Sequence, residues 1–135
     1  MGSGGPELTG AKRIDRPTWL AYLAGFLDGE GCFTASASGV RVSVSNCFPW
    51  TLQALREEFG GSVYRKSTKS RCRAAYQWDA HGDNAIDCIQ AVLPYLIEKG
   101  PQAALVLDYR TWPPNSAKRA SIEAELKRLK RTNYE

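Results

Sequence analysis

The stretch Leu23-Ala24-Gly25-Phe26-Leu27-Asp28-Gly29-Glu30-Gly31 carries the reading of the whole chain. It continues an apolar run that begins at Trp19, and a helix is predicted from about Trp19 to Asp28. Thr18, after Pro17, is the expected N-cap, and Gly29 and Gly31 are expected to end the helix in a left-handed turn. Ala24 and Gly25 are small, so a second helix can approach closely at their face. Asp28 and Glu30 stand at the C-terminal end, which already carries partial negative charge. Anions there are unfavourable unless a cation compensates, and a divalent metal is the natural one because hard cations prefer carboxylate oxygen.

Downstream, 32–38 and 40–45 read as two strands. Val40, Val42 and Val44 alternate with Arg41, Ser43 and Ser45, the pattern of a half-buried strand, and Ser38 and Gly39 supply the turn. A helix over 51–59 follows, ended by Gly60 and Gly61. A second strand pair is predicted at 62–66 and 71–79, then a turn from His81 to Asn84 and a helix over 85–92. Pro101 suits the first turn of a further helix that carries Ala104, Leu105 and Leu107 towards Tyr109, and a basic helix covers 117–131. The order gives an α+β class, an antiparallel sheet with helices packed on one face.

The 135 residues fit one domain, read as a flexible N-terminal tail over 1–16 and a single folded unit over 17–135. A net charge of +4 permits nucleic-acid binding without requiring it. No apolar run approaches the ~20 residues needed to span a bilayer, so no membrane partner is expected. The start of the chain lacks the pattern of a secretory signal. Cys32, Cys47, Cys72 and Cys88 form no C-x-x-C pair, which points to a reduced intracellular protein with small buried thiols rather than a structural zinc site.

The nine-residue stretch resembles the motif of LAGLIDADG homing endonucleases, in the single-motif, homodimeric form. The similarity runs from about Thr18 to Arg110, through Asn46, Phe59-Gly60-Gly61-Ser62-Val63-Tyr64, Leu93-Pro94-Tyr95-Leu96-Ile97-Glu98-Lys99 and Gln102-Ala103. It implies that the motif helices of two copies cross at a twofold axis, through Leu20, Leu23, Ala24, Gly25, Leu27 and Asp28. It implies Glu30 and the Gly29 carbonyl as metal ligands, Lys99 as the active-site lysine, and Asn46 as a catalytic-site residue that holds water. Asp28 would orient the helix junction. The implied cofactor is Mg²⁺, with Mn²⁺ substituting and Ca²⁺ binding without supporting cleavage. The implied reaction is metal-assisted hydrolysis of both strands of a long, near-palindromic duplex. The chain departs from its relatives at Pro49-Trp50 and Gly100-Pro101, where several of them are more basic.

Strand parity marks a candidate DNA face. Thr34, Ser36, Ser38, Arg41, Ser43 and Ser45 line one side of the first pair. Arg65, Ser67, Arg71, Arg73 and Gln77 are the candidates of the second, with Tyr76 and Trp78 on the core side. Arg reads guanine edges in the major groove and Gln reads adenine. On the last helix Arg128, with Lys118, Arg119, Lys127, Lys130 and Arg131, would contact phosphate. The alternative reading is a catalytically silent DNA-binding relative or a maturase-like splicing cofactor for intron RNA; the pairing of Glu30 with Lys99 favours the enzyme.

Overall fold

The structure, a computed structural model, describes residues 4–8, 12–66 and 75–133. Ser67, Arg71 and Arg73, three of the expected DNA contacts, lie outside the described residues, as does Cys72. Two short strands, β1 (Gly4–Leu8) and β2 (Lys12–Asp15), pair antiparallel within the stretch expected to be a tail.

The motif helix α1 spans Arg16–Glu30. Asp15, not Thr18, caps it: the carboxylate accepts the Thr18 N–H at 2.8 Å, which lets the helix start with Pro17 in its first turn. At the other end Gly29 remains helical and Gly31 is extended at φ −86°, so no left-handed turn occurs. Gly31 is needed for space: a Cβ there would meet the Leu27 carbonyl oxygen at 2.8 Å.

Strands β3 (Gly31–Ser36) and β4 (Gly39–Asn46) form a hairpin whose turn is Ala37–Ser38, one residue earlier than expected. Helix α2 (Trp50–Phe59) leads into β5 (Ser62–Lys66), and β6 (Ala75–His81) passes directly into α3 (Gly82–Val92). The turn expected over His81–Asn84 is therefore absorbed by strand and helix. The sheet order is β3-β4-β6-β5, antiparallel throughout. Phe33, Val42, Val44, Trp78 and Ala80 share one face and are buried beneath α1, α2 and α3. Gly61, at φ +94°, lets the chain pass so close that a Cβ would lie 2.3 Å from the Asp79 carbonyl oxygen.

A 3₁₀ turn (Leu93–Tyr95) precedes α4 (Gly100–Arg110), and α5 (Ala117–Asn133) folds back on α4 beside the edge strand β3. In α4 the inward residues are Gln102, Ala103, Val106 and Tyr109; Ala104 is exposed, because the face turned to the core is one position out of phase with the expected one. Ile122 and Leu126 bury α5, and the Tyr109 hydroxyl donates to Glu123 at 2.7 Å. The antiparallel return brings the end of α5 to the beginning of α4. Cys32 and Cys88 are free thiols, but Cys47 is exposed and disulfide-bonded, which corrects the all-reduced reading. Among the described residues no helix is long and apolar enough to cross a membrane.

Candidate active site and nucleic-acid interface

Asp28 lies in the last turn of α1 and reaches across to the segment before α4. One carboxylate oxygen accepts the N–H groups of Ile97 and Glu98 at 3.0 Å each, and the other accepts that of Lys99 at 2.8 Å. Burial by itself would raise the Asp28 pKa, but these backbone donors and the Lys99 charge outweigh it and hold the carboxyl below its usual range. The anion disfavoured at the end of α1 is thus favoured at the start of α4, where unpaired N–H groups and the helix dipole meet it.

This clamp fixes Lys99, whose Nζ donates to the Gly31 carbonyl oxygen at 2.7 Å. An ammonium group therefore sits at the negative pole of α1, and it supplies part of the compensation that sequence reasoning assigned wholly to metal. Around this point lies a pocket of about 390 Å³, lined by Asp28, Gly29, Gly31, Cys32, Glu98, Lys99, Gln102 and Lys130. Three separate stretches of chain converge there, 28–32, 98–102 and Lys130, which arrives from α5.

Glu30 and Gly29 are exposed at the same pole. The Glu30 carboxylate has no hydrogen bond or salt bridge among the described residues. Oxygen donors of this kind suit Mg²⁺, but Asp28 is already engaged, and no cluster of three acidic, His or Cys side chains occurs among the described residues. The Asn46 side-chain oxygen accepts the Phe48 N–H at 3.0 Å, closing the turn after β4, as Asn commonly does with its own backbone two residues on.

The six residues expected at a helix crossing divide. Leu23, Ala24 and Leu27 are fully buried in the chain's own core, Leu20 packs partly against it, and Asp28 is the clamp. Only Gly25 is exposed, together with Ala21, Tyr22 and Gly29. The resemblance set the crossing at these six residues; the side of α1 that the single chain leaves exposed carries Ala21, Gly25 and Gly29, spaced four residues apart.

On the polar face of the sheet, Asp79 is a hub. It accepts Arg41 Nη2 at 3.2 Å, the Tyr64 hydroxyl at 2.7 Å and Gln77 Nε2 at 2.8 Å. Gln77 Oε1 in turn accepts Lys66 Nζ at 2.9 Å and the Ser45 hydroxyl at 3.1 Å. Gln77 is only 9% exposed and both ends of its amide are occupied, so it braces the face instead of presenting a free edge. Arg65 pairs with Tyr76, on the opposite side, and the β5 residues on the polar face are Ser62, Tyr64 and Lys66. Thr34, Ser36 and Ser43 have the expected parity, and Ser38 sits in the turn, its hydroxyl 2.8 Å from that of Ser36. Arg128 is exposed on α5 and bound through two nitrogens to Glu125, at 2.8 and 2.6 Å.

No family model and no curated protein matches the sequence. Solved structures do. The homing endonuclease I-CvuI aligns at TM-score 0.66 and 22% identity, over 84% of this chain and 83% of its own. The archaeal intron-encoded homing endonuclease I-Vdi141I aligns at TM-score 0.68 and 15% identity, over 85% and 86%. The homing endonuclease I-TnaI aligns at 0.57 and 20%, over 85% and 95%. The chain has the LAGLIDADG homing-endonuclease fold. Within that fold, Gln102, Tyr64, Lys66 and Asp79 are polar groups that sequence reasoning did not single out as site residues, and Lys130, expected on phosphate, also lines the pocket. Gln102 follows Lys99 at helical spacing, a readable signal; the other three depend on sheet register.

Proposed function

We propose that two copies of this chain form a DNA endonuclease that cuts both strands of a long, near-palindromic site by metal-assisted phosphodiester hydrolysis. The observation that carries this reading is the convergence of Lys99, Gly31 and the clamping Asp28 at the pole of α1 that also bears the free carboxylate of Glu30. Glu30 and the Gly29 carbonyl would hold Mg²⁺, which supplies polarisation of the phosphate and a more acidic bound water. Mn²⁺ would substitute, and Ca²⁺ would bind without supporting cleavage. Lys99, held on Gly31, is placed to offset charge that develops on phosphate oxygens. The polar sheet face would lie in the major groove, with Arg41, Tyr64 and Lys66 outermost, and the basic α5 would contact backbone.

One chain offers one such centre, and two strands need two. The exposed stripe Ala21, Gly25, Gly29 allows the close helix approach that a twofold pairing requires. I-CvuI and I-Vdi141I are described in complex with DNA, the former with Ca in one structure and Mg in another, and this supports duplex DNA and a divalent cation as partners. The test is selection of cleaved molecules from a randomised duplex library with Mg²⁺. A near-palindromic consensus is expected. A protein that binds duplex but cuts no member is a silent relative, and one that prefers structured intron RNA is a splicing cofactor.

A further inference from the structure

Gln102 occupies the first turn of α4 on its inward face, and 3% of it is exposed. The residues that share this face, Ala103, Val106 and Tyr109, are packed in the core. Its carboxamide has two donors and an acceptor with two lone pairs. Among the described residues the Gln102 amide makes no hydrogen bond to protein, and Arg41 Nε is the buried side-chain atom left without a partner, so the Gln102 amide is not sealed from solvent. It opens onto the pocket beside Lys99 and Gly31.

The pocket's other polar groups are differently placed. Asp28 is filled by three backbone N–H groups, and Lys99 Nζ is anchored on Gly31. Lys130 and Glu98 line the rim as charged chains, and the Cys32 thiol is a weak donor. The Asn46 side-chain oxygen takes part in the turn after β4, and Asn46 does not line the pocket. At about 390 Å³ the pocket has room for several waters, each taking about 30 Å³ in the liquid.

We infer that Gln102 holds an ordered water in this pocket next to Lys99, and that through this water it positions the attacking water of the reaction. The first half stands on the unpartnered amide; the second rests on the endonuclease reading given above. A water donating to Gln102 Oε1 keeps its own lone pairs free to accept a hydrogen bond from the attacking water, which is thereby oriented with its own lone pairs free.

Two measurements on the full chain test this. The first is a crystal structure at high enough resolution to show waters. The inference expects a water within hydrogen-bond distance of the Gln102 amide and is overturned if the amide is bonded to protein or faces a dry pocket. The second compares Gln102→Met, close in size but without the amide, with Gln102→Glu, which keeps an acceptor. Gln102→Met should slow single-turnover cleavage at saturating DNA by about 10- to 100-fold, with Kd and thermal midpoint unchanged. Gln102→Glu should recover part of that loss. A Gln102→Met variant that cuts at the parental rate, or whose loss lies wholly in Kd or stability, overturns the positioning role. If the parent cuts no DNA, the endonuclease reading falls on its own, and the crystallographic result still decides whether Gln102 holds water.

Discussion

Asp28 sits where an anion is unfavourable for its own helix, yet it receives three backbone N–H groups from the segment entering α4. Asp28→Asn removes the charge and turns a donor towards donors. Hydrogen bonds to a charged group contribute roughly 1.5–3 kcal/mol, and partial exposure brings the expected loss here to about 1–2 kcal/mol. The Asp28 pKa is lowered in the folded chain, so its stabilisation is complete above the ordinary carboxylate value of 3.8 and is lost as pH falls through the folded value. Denaturant unfolding should therefore separate parent and Asp28→Asn at neutral pH and bring them together in acid; an equal gap at both pH values would contradict the clamp. Among the described residues Glu30 has no partner, so Glu30→Gln should leave folding and most DNA affinity intact while abolishing cleavage with Mg²⁺. A parental cleavage rate in that variant would remove Glu30 from the metal site.

The outer face of α1 and the polar face of the sheet each allow a test at the scale of the element. Open space surrounds a Cβ added at Gly25, so Gly25→Leu should fold as well as the parent or slightly better, glycine costing about 0.5–1 kcal/mol inside a helix. In light scattering it should be a monomer under conditions where the parent is a dimer; a dimer of normal affinity would place the interface elsewhere. On the sheet, Asp79 holds Arg41, Tyr64 and Gln77 together. Asp79→Ala should loosen base preference at several symmetric positions at once, and Arg41→Ala at one pair, by about 1–3 kcal/mol of discrimination per contact. Binding-site profiles of both variants decide this, and identical profiles would dissolve the hub. These elements also show what was legible in the sequence. Alternation in β4 and the glycines after α2 announced themselves, because period and backbone conformation are local. The outward side of α1 did not, since an apolar run on a helix packed into the sheet cannot say which side meets its own core. Arg65 was set on the polar face, but the register of β5 against β6 puts it opposite, and that register depends on a connection whose length sequence does not fix.

At the scale of the molecule, charge and topology work together. The net +4 is modest, but the return of α5 along α4 carries Lys130 into the pocket with Lys99. The sheet order sets the polar face beside that pole of α1, so a duplex on the face would have its backbone near Glu30. A single chain carries one such pole, and in the proposed dimer each copy cuts one strand. The direct measurement uses a mixed dimer, purified through two different tags, of one parental subunit and one Glu30→Gln subunit, acting on a supercoiled plasmid that bears the selected site. An open, singly nicked circle is expected as the end product, while the parental dimer gives linear DNA. Linear DNA from the mixed dimer at the parental rate would contradict it, because one centre would then be serving both strands.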